Sequence, residues 1–234
     1  MKLLRVLLLS AVAGAMLGLA EPARAANECE GHMICVPVAG PWVVVPTGAG
    51  VRRPKVEYQL TCPRGYVVGG LDAELSHRAI DVSFVATLGS PVNPGISTSR
   101  SAVFVASYVG ETARAPSFRP HIGCIPSTGG GIRIPTSVTA FPPGQPTVRR
   151  VRTVRVRPGT ATVVQACGAR ERLVGASHAI GFVRRTPPSA SLVATVSGSR
   201  AVRGGRVIVT VRGDAELGGV RAVVQVHAVC ARVR

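Results

Sequence analysis

Acidic side chains, aromatic rings and lysine are all scarce in this chain. Its 234 residues hold 11 Asp and Glu against 28 Lys and Arg, with one Trp, three Tyr and five Phe. Lysine occurs only as Lys2 and Lys55, so arginine carries the positive charge. The acids Asp72, Glu74, Asp81, Glu111, Glu171, Asp214 and Glu216 are scattered, and no pair has a spacing that implies general acid–base work. With Trp42 the only Trp and little aromatic interleaving, stacking on bases gains no support and nucleic acid is not favoured as a partner. Helical periodicity is missing as well. Beyond residue 25 no stretch keeps apolar residues at helical spacing for three turns. No apolar run there is long enough to cross a bilayer as a helix.

The first residues have the three-part layout of a secretory signal. Met1-Lys2-Leu3-Leu4-Arg5 is a short basic start, residues 6–20 are apolar, and Ala23-Arg24-Ala25 offers small residues at the positions a signal peptidase reads. Residues 1–25 are therefore expected to be a signal peptide cleaved after Ala25, leaving a secreted protein, extracellular or periplasmic. Leu17-Gly18-Leu19-Ala20 is not followed by Cys, so no lipid anchor is expected. Removal of Lys2, Arg5, Arg24 and Glu21 lowers the formal charge from +17 to +15. The arginine skew can reflect a GC-rich genome or selection for a partner, and either way such a charge attracts polyanions in a salt-dependent manner. All six cysteines lie beyond the signal, and an even count in an exported chain favours disulfides over metal thiolates or a catalytic thiol.

Short Val-, Ile- and Thr-rich runs punctuated by 27 Gly and 18 Pro are the pattern of an all-β protein. Several runs alternate. Val56, Tyr58, Leu60 and Cys62 oppose Glu57, Gln59 and Thr61, and Phe118, Pro120, Ile122 and Cys124 oppose Arg119, His121 and Gly123. Val207, Val209 and Val211 alternate with Arg206, Ile208, Thr210 and Arg212, and Ala222, Val224, Val226, Ala228 and Cys230 share a face. Period two means one buried and one wet face, as in antiparallel sandwiches.

One phrase occurs twice. Cys62-Pro63-Arg64-Gly65-Tyr66-Val67-Val68-Gly69-Gly70 opens a unit that Cys124 closes, and Cys167-Gly168-Ala169-Arg170-Glu171-Arg172-Leu173-Val174-Gly175-Ala176 opens one that Cys230 closes. Cys35-Val36-Pro37, Gly40 and Val43 to Thr47 match Cys124-Ile125-Pro126, Gly129 and Ile132 to Thr136, after which the second copy is longer by sixteen residues on its way to Cys167. The expected organisation is a signal (1–25), an N-terminal segment with a short disulfide loop (26–35) and two tandem antiparallel β-sandwich-like modules (36–126 and 127–234), each with one disulfide of its own. Six cysteines allow fifteen pairings. If the copies fold alike, Cys62–Cys124 and Cys167–Cys230 are equivalent and Cys29–Cys35 remains. Bridging a loop of about sixty residues contributes about 4 kcal/mol on the chain-entropy account. Pro63 and Gly65 suit a tight turn, and Gly69-Gly70 suits a bulge or a close chain crossing. Gly175 is read as keeping the first of these glycines, with Ala176 in place of the second, so small size is the requirement expected there.

Cys62-Pro63-Arg64-Gly65, Gly69-Gly70, Cys167, Gly175 and the closing Val226-His227-Ala228-Val229-Cys230-Ala231 resemble a module common in uncharacterised secreted bacterial proteins, over most of the chain after the signal. The resemblance implies small disulfide-linked β-folds outside the cytoplasm and supplies no catalytic residues. The second copy lacks the Pro, and His227 stands where the family usually has an aromatic.

Every histidine sits in a repeated context. His32, His121 and His227 each precede a Cys by three, while His77 and His178 each follow a Ser. A two-His metal site, His77 with His121 or His178 with His227, gains no thiolate from the nearby cysteines, because a His and a Cys three apart on a strand point to opposite faces and the cysteines are better used as disulfides. A structural metal also normally takes four ligands. Solvent-facing strand histidines are the expectation, with no metal and no cofactor. Ser177 in Gly175-Ala176-Ser177-His178-Ala179 lacks the second Gly of a nucleophile elbow, so no catalytic residues are assigned. A hydrolase would require Ser76, His77 and Asp81, or their second-copy counterparts, to converge. In 149–157, Val151 is out of phase with Val154 and Val156, so a bulge near Thr153 is expected, with Arg155 and Arg157 projecting together and Arg150 and Arg152 nearby. Guanidinium forks bind oxyanions, which makes these four arginines candidates for holding anionic envelope polymers. Basic side chains on an edge strand also block edge-to-edge aggregation. Arg212-Gly213-Asp214 is expected as a hairpin turn. The chain is thus read as a secreted, non-catalytic structural or binding protein, with polyanion binding through 149–157 or a secreted hydrolase as alternatives.

Overall fold

A computed structural model describes residues 27–48, 53–85, 100–111, 114–127, 147–217 and 219–232. The expected signal and the 132–136 repeat segment lie outside the described residues. The described chain is nearly all β. Its strands are β1 (Val36–Ala39), β2 (Trp42–Val44), β3 (Lys55–Thr61), β4 (Tyr66–Leu75), β5 (Ile80–Val85), β6 (Ser101–Tyr108), β7 (Ser117–Pro126), β8 (Thr147–Val156), β9 (Gly159–Ala166), β10 (Glu171–Val183), β11 (Val196–Arg203), β12 (Arg206–Gly213) and β13 (Arg221–Arg232). One short helix, α1 (Ala190–Ala194), is capped by Ser189, whose hydroxyl accepts from Leu192 N–H.

The two halves are laid out in comparable ways. In the first half β7 pairs with β4 on one side and with β1 and β2 on the other, while β3, β6 and β5 form a second sheet. In the second half β13 lies between β10 and β8, β11 pairs with β12, and β9 runs beside β12. Disulfides tie Cys62 to Cys124 and Cys167 to Cys230, joining the second layer to the closing strand in each half, and a third links Cys29 to Cys35. After each opening Cys comes a turn. Tyr66 N–H returns to Pro63 O with Gly65 at φ +82°, and Glu171 N–H returns to Gly168 O.

The halves share a sheet. Trp42 and Val43 of β2 pair with Phe182 and Gly181 of β10, making a continuous seven-stranded sheet. Val43 faces the first core, with Tyr58, Phe104, Phe118 and Ile122. Phe182, one residue along β10 from Val43's register partner Gly181 and so on the other face, faces the second core, with Val207, Val209, Val211, Val224 and Val226. The two second layers therefore cover opposite faces of one sheet, and Ala179 of β10 packs into the first core while Val44 of β2 packs against the second.

That arrangement changes four sequence expectations. The outer faces of the closing strands are not wet: His121 and His227 are 5% and 0% exposed, because other chain segments lie over them. The bulge lies in the strand that follows the opening Cys, β4 or β10, where it pairs with the closing strand. Register shifts at Gly69, between Val68 and Gly70, and at Val174, between Leu173 and Gly175, so Gly175 corresponds to Gly70 and the second glycine is the one kept. No bulge occurs near Thr153, since β8 pairs with β13 without a break from Thr147–Ala231 to Val156–Ala222. Arg212 and Gly213 end β12 and Asp214 leads into the 3-10 turn Ala215–Leu217, so this tripeptide is not a hairpin turn.

Gly70 is held by space. It pairs with Gly123, and a Cβ on either would lie within 2.0 Å of the Glu28 carbonyl oxygen, where the N-terminal segment crosses the sheet. A Cβ at Gly175 would meet nothing closer than Val229 at 3.2 Å. Gly70→Ala is expected to cost about 1–3 kcal/mol by forcing the crossing segment away, while Gly175→Ala stays near neutral. Urea denaturation of the two variants checks this, and equal losses would contradict it.

Candidate functional site

A cluster of polar side chains lies where β3 crosses the second half of the sheet. Val56, Tyr58 and Leu60 point into the first core, so Glu57 and Gln59 point the other way, onto β13. β3 is an edge strand, and two of its outward backbone groups, those of Gln59, are met by one side chain: Gln59 N–H donates to Gln225 Oε1 at 2.6 Å, and Gln225 Nε2 donates to Gln59 O at 3.1 Å. Gln225 Nε2 also donates to Thr153 Oγ1 at 3.0 Å. The Arg149 guanidinium contacts Glu57 Oε2 and lies 3.0 Å from His227 Nδ1. Arginine only donates, so Nδ1 accepts and the ring proton sits on Nε2, which donates to Gln225 Oε1 at 2.8 Å. Every polar atom of His227 and Gln225 is engaged.

Electrostatics follow from that geometry. Burial, with Arg149 beside it, holds the His227 pKa down to about 4 against the opposing pull of Glu57. Burial raises the Glu57 pKa, but hydrogen bonds from Arg149 and Ser177 outweigh it and hold the carboxyl below its ordinary value. His227 is therefore neutral and Glu57 ionised at pH 7.

Serine, histidine and glutamate meet here without forming a proton relay. Ser177 is the register partner of His227, yet its hydroxyl donates to Glu57 Oε2 at 2.8 Å, and neither ring nitrogen is free to take its proton. His178 lies on the opposite face and lines another cleft; burial and Arg200 lower its pKa. In the first half, Ser76 Oγ accepts from Ser117 N–H at 2.8 Å, His77 Nδ1 accepts from Ala79 N–H at 3.1 Å, and Asp81 is exposed on β5. These residues do not converge. His121 sits between two acids instead, with Nδ1 3.5 Å from Glu28 and Nε2 3.0 Å from Glu74. Among the described residues one group has the proximity of a metal site, Cys167, Glu171 and Cys230, but its sulfurs are bonded to each other at 2.02 Å.

The arginine strand divides by face. β8 is an edge of the seven-stranded sheet. Arg150 makes a two-point bond to Glu171, both contacts 2.9 Å, and Glu171 also accepts from Gly168 N–H, which together bring its pKa down to about 2. Arg152 reaches the Val164 carbonyl of β9 at 3.4 Å. Arg155 lies on the other face, opposite Val223, and both it and Arg157 are exposed. The four arginines do not gather.

Two clefts flank the β2–β10 joint. One of about 420 Å³ is lined by Val44, Pro46, Lys55, His178, Ile180 and Arg200. The other, about 450 Å³, lies where β1 gives way to β2 at Gly40-Pro41 and is lined by Arg119, Arg184, Arg185 and Arg221. Trp42 Nε1 donates to Arg185 O at 3.4 Å and pins the bend that carries two of these arginines.

No family model, curated protein or solved structure matches the chain.

Sequence reasoning missed both the polar junction and the arginine cleft. A signal for the first was present: Val223, Gln225, His227, Val229 and Ala231, the nominally wet face of β13, contain no charged residue. The cleft had none, because its arginines come from separated strand ends.

The unfolded chain protonates histidine near pH 6.5, whereas folded His227 resists down to about 4. Stability is thus full above about pH 6.5 and falls as the pH drops from there to 4, by up to about 3 kcal/mol. His178 acts in the same direction, and Glu57 contributes only below the ordinary carboxylate range. Urea denaturation between pH 7 and 4 should show the decline, and His227→Gln should remove most of it; an unchanged slope would contradict the assignment.

Proposed function

We propose that the chain is a secreted, non-catalytic binding protein of the cell envelope or extracellular space, built from two duplicated modules. The observation that carries this reading is the contrast between its polar groups. Ser177, His227, Glu57 and Gln225 are tied to one another at the junction, and all described cysteines are in disulfides, while Arg184, Arg185, Arg200 and Arg221 at the surface clefts lack described carboxylate partners. Three disulfides are typical of extracellular proteins, and no described helix is long and apolar enough to cross a membrane. The signal-like start and the resemblance to secreted bacterial modules support the same location. Surface binding suits a fold whose two halves share one sheet, because a pre-ordered surface loses little entropy on association.

Co-sedimentation of the protein lacking residues 1–25 with cell-wall and outer-envelope fractions, across a salt series, tests the reading. Retention that weakens as salt rises is expected. Absence of retention at low salt on every fraction would overturn it.

A further inference from the structure

We propose that the cleft lined by Arg119, Arg184, Arg185 and Arg221 binds a polymer bearing phosphate or sulfate groups. The inference rests on the binding-protein reading and names the ligand class and the site.

The cleft is built by the joint between the halves. A Cβ at Gly181 of β10 would lie 2.7 Å from Pro41 Cγ, so the absence of a side chain there lets the Gly40-Pro41 corner sit down on β10. β10 ends at Val183, and the next two residues, Arg184 and Arg185, turn into the cleft mouth under the hold of Trp42. Arg221 opens β13 opposite Val183 and lines the cleft beside it. Arg119 comes from β7, oriented by its Nε bond to Gly40 O at 3.2 Å and by Glu74 at 3.7 Å. Among the described residues no carboxylate pairs with Arg184, Arg185 or Arg221.

Like charges brought to one concavity repel, and in a confined cleft their field is focused rather than dispersed. A bound anion removes that repulsion. The number of forks selects the anion: a carboxylate has two oxygens in one plane and is filled by a single guanidinium, whereas phosphate and sulfate present oxygens in a tetrahedron to several. A volume of about 450 Å³ exceeds what one oxyanion needs and accommodates the sugar or alcohol unit that carries it. Trp42 is buried, so the cleft offers no ring for a base to stack on, and recognition runs through charge. Arg157 and Arg155, exposed at the end of β8 next along the sheet, extend the positive track beyond the cleft.

The test uses the oxidised protein lacking residues 1–25 and three probes: inorganic polyphosphate, dextran sulfate and polygalacturonate. Arg184→Gln/Arg185→Gln/Arg221→Gln is compared with Arg203→Gln/Arg206→Gln/Arg212→Gln, which removes the same charge from the β11–β12 hairpin. Wild type should bind polyphosphate or dextran sulfate more tightly than polygalacturonate. The cleft variant should lose about three from the slope of log affinity against log salt, with a fall of ten- to a hundredfold, and the hairpin variant should lose far less. Equal losses in the two variants would overturn the site while leaving the binding-protein reading intact. Equal binding of polygalacturonate would overturn the ligand class. Absence of binding to all three probes would overturn the proposed ligand chemistry, and loss of envelope co-sedimentation as well would overturn the binding-protein reading itself.

Discussion

A strand edge can be buried only if its backbone groups find partners, and much of this structure depends on how that is done for β3. The edge of the first half's second layer lies against the second half's sheet, where Glu57 and Gln59 are half-buried. Leaving one buried N–H or C=O unpaired costs about 1–3 kcal/mol. Gln225 meets both groups of Gln59 with one amide, acting as a short piece of the missing strand. Its remaining capacity is taken by His227 and Thr153, and His227 in turn is fixed in one tautomer by Arg149. Glu57 neutralises that arginine and takes the Ser177 hydroxyl. Residues that could have formed a catalytic relay are thereby bound into a joint.

The first half solves the matching problem differently. Its outer sheet face is covered by the N-terminal segment, with the Glu28 carbonyl in the notch between Gly70 and Gly123, its side chain against His121, and the Cys29–Cys35 bridge closing the crossing. Two histidines at equivalent places in the chain are thus buried by unrelated covers. The exposed end of the shared sheet, β8, is managed by its own arginines: Arg152 holds a carbonyl of β9 and Arg150 clasps the turn after Cys167. Those arginines serve the fold. The ones left over for a ligand stand at the other strand ends.

What was legible in the sequence follows from which physical rule governs each residue. Alternation identified the apolar faces of β3, β7, β12 and β13, because a core face must be apolar whatever lies behind it. The same rule misjudged His121 and His227, since it assumes that the second face is wet. A second cover is a long-range event, and the clue was the lack of charge around Gln225. The phase break at Val151 read as a bulge because Val was assumed to face the core, whereas an edge strand packed on both sides accepts Val151 and Val154 on different faces. The arginine cleft unites residues 119, 184, 185 and 221, and only the shared sheet brings them together.

If the β3 joint makes the halves one cooperative body, they cannot melt apart. Differential scanning calorimetry of the oxidised protein at pH 7 tests this directly. A single transition whose calorimetric and van't Hoff enthalpies agree is expected. Two resolved transitions, one for each half, would contradict it.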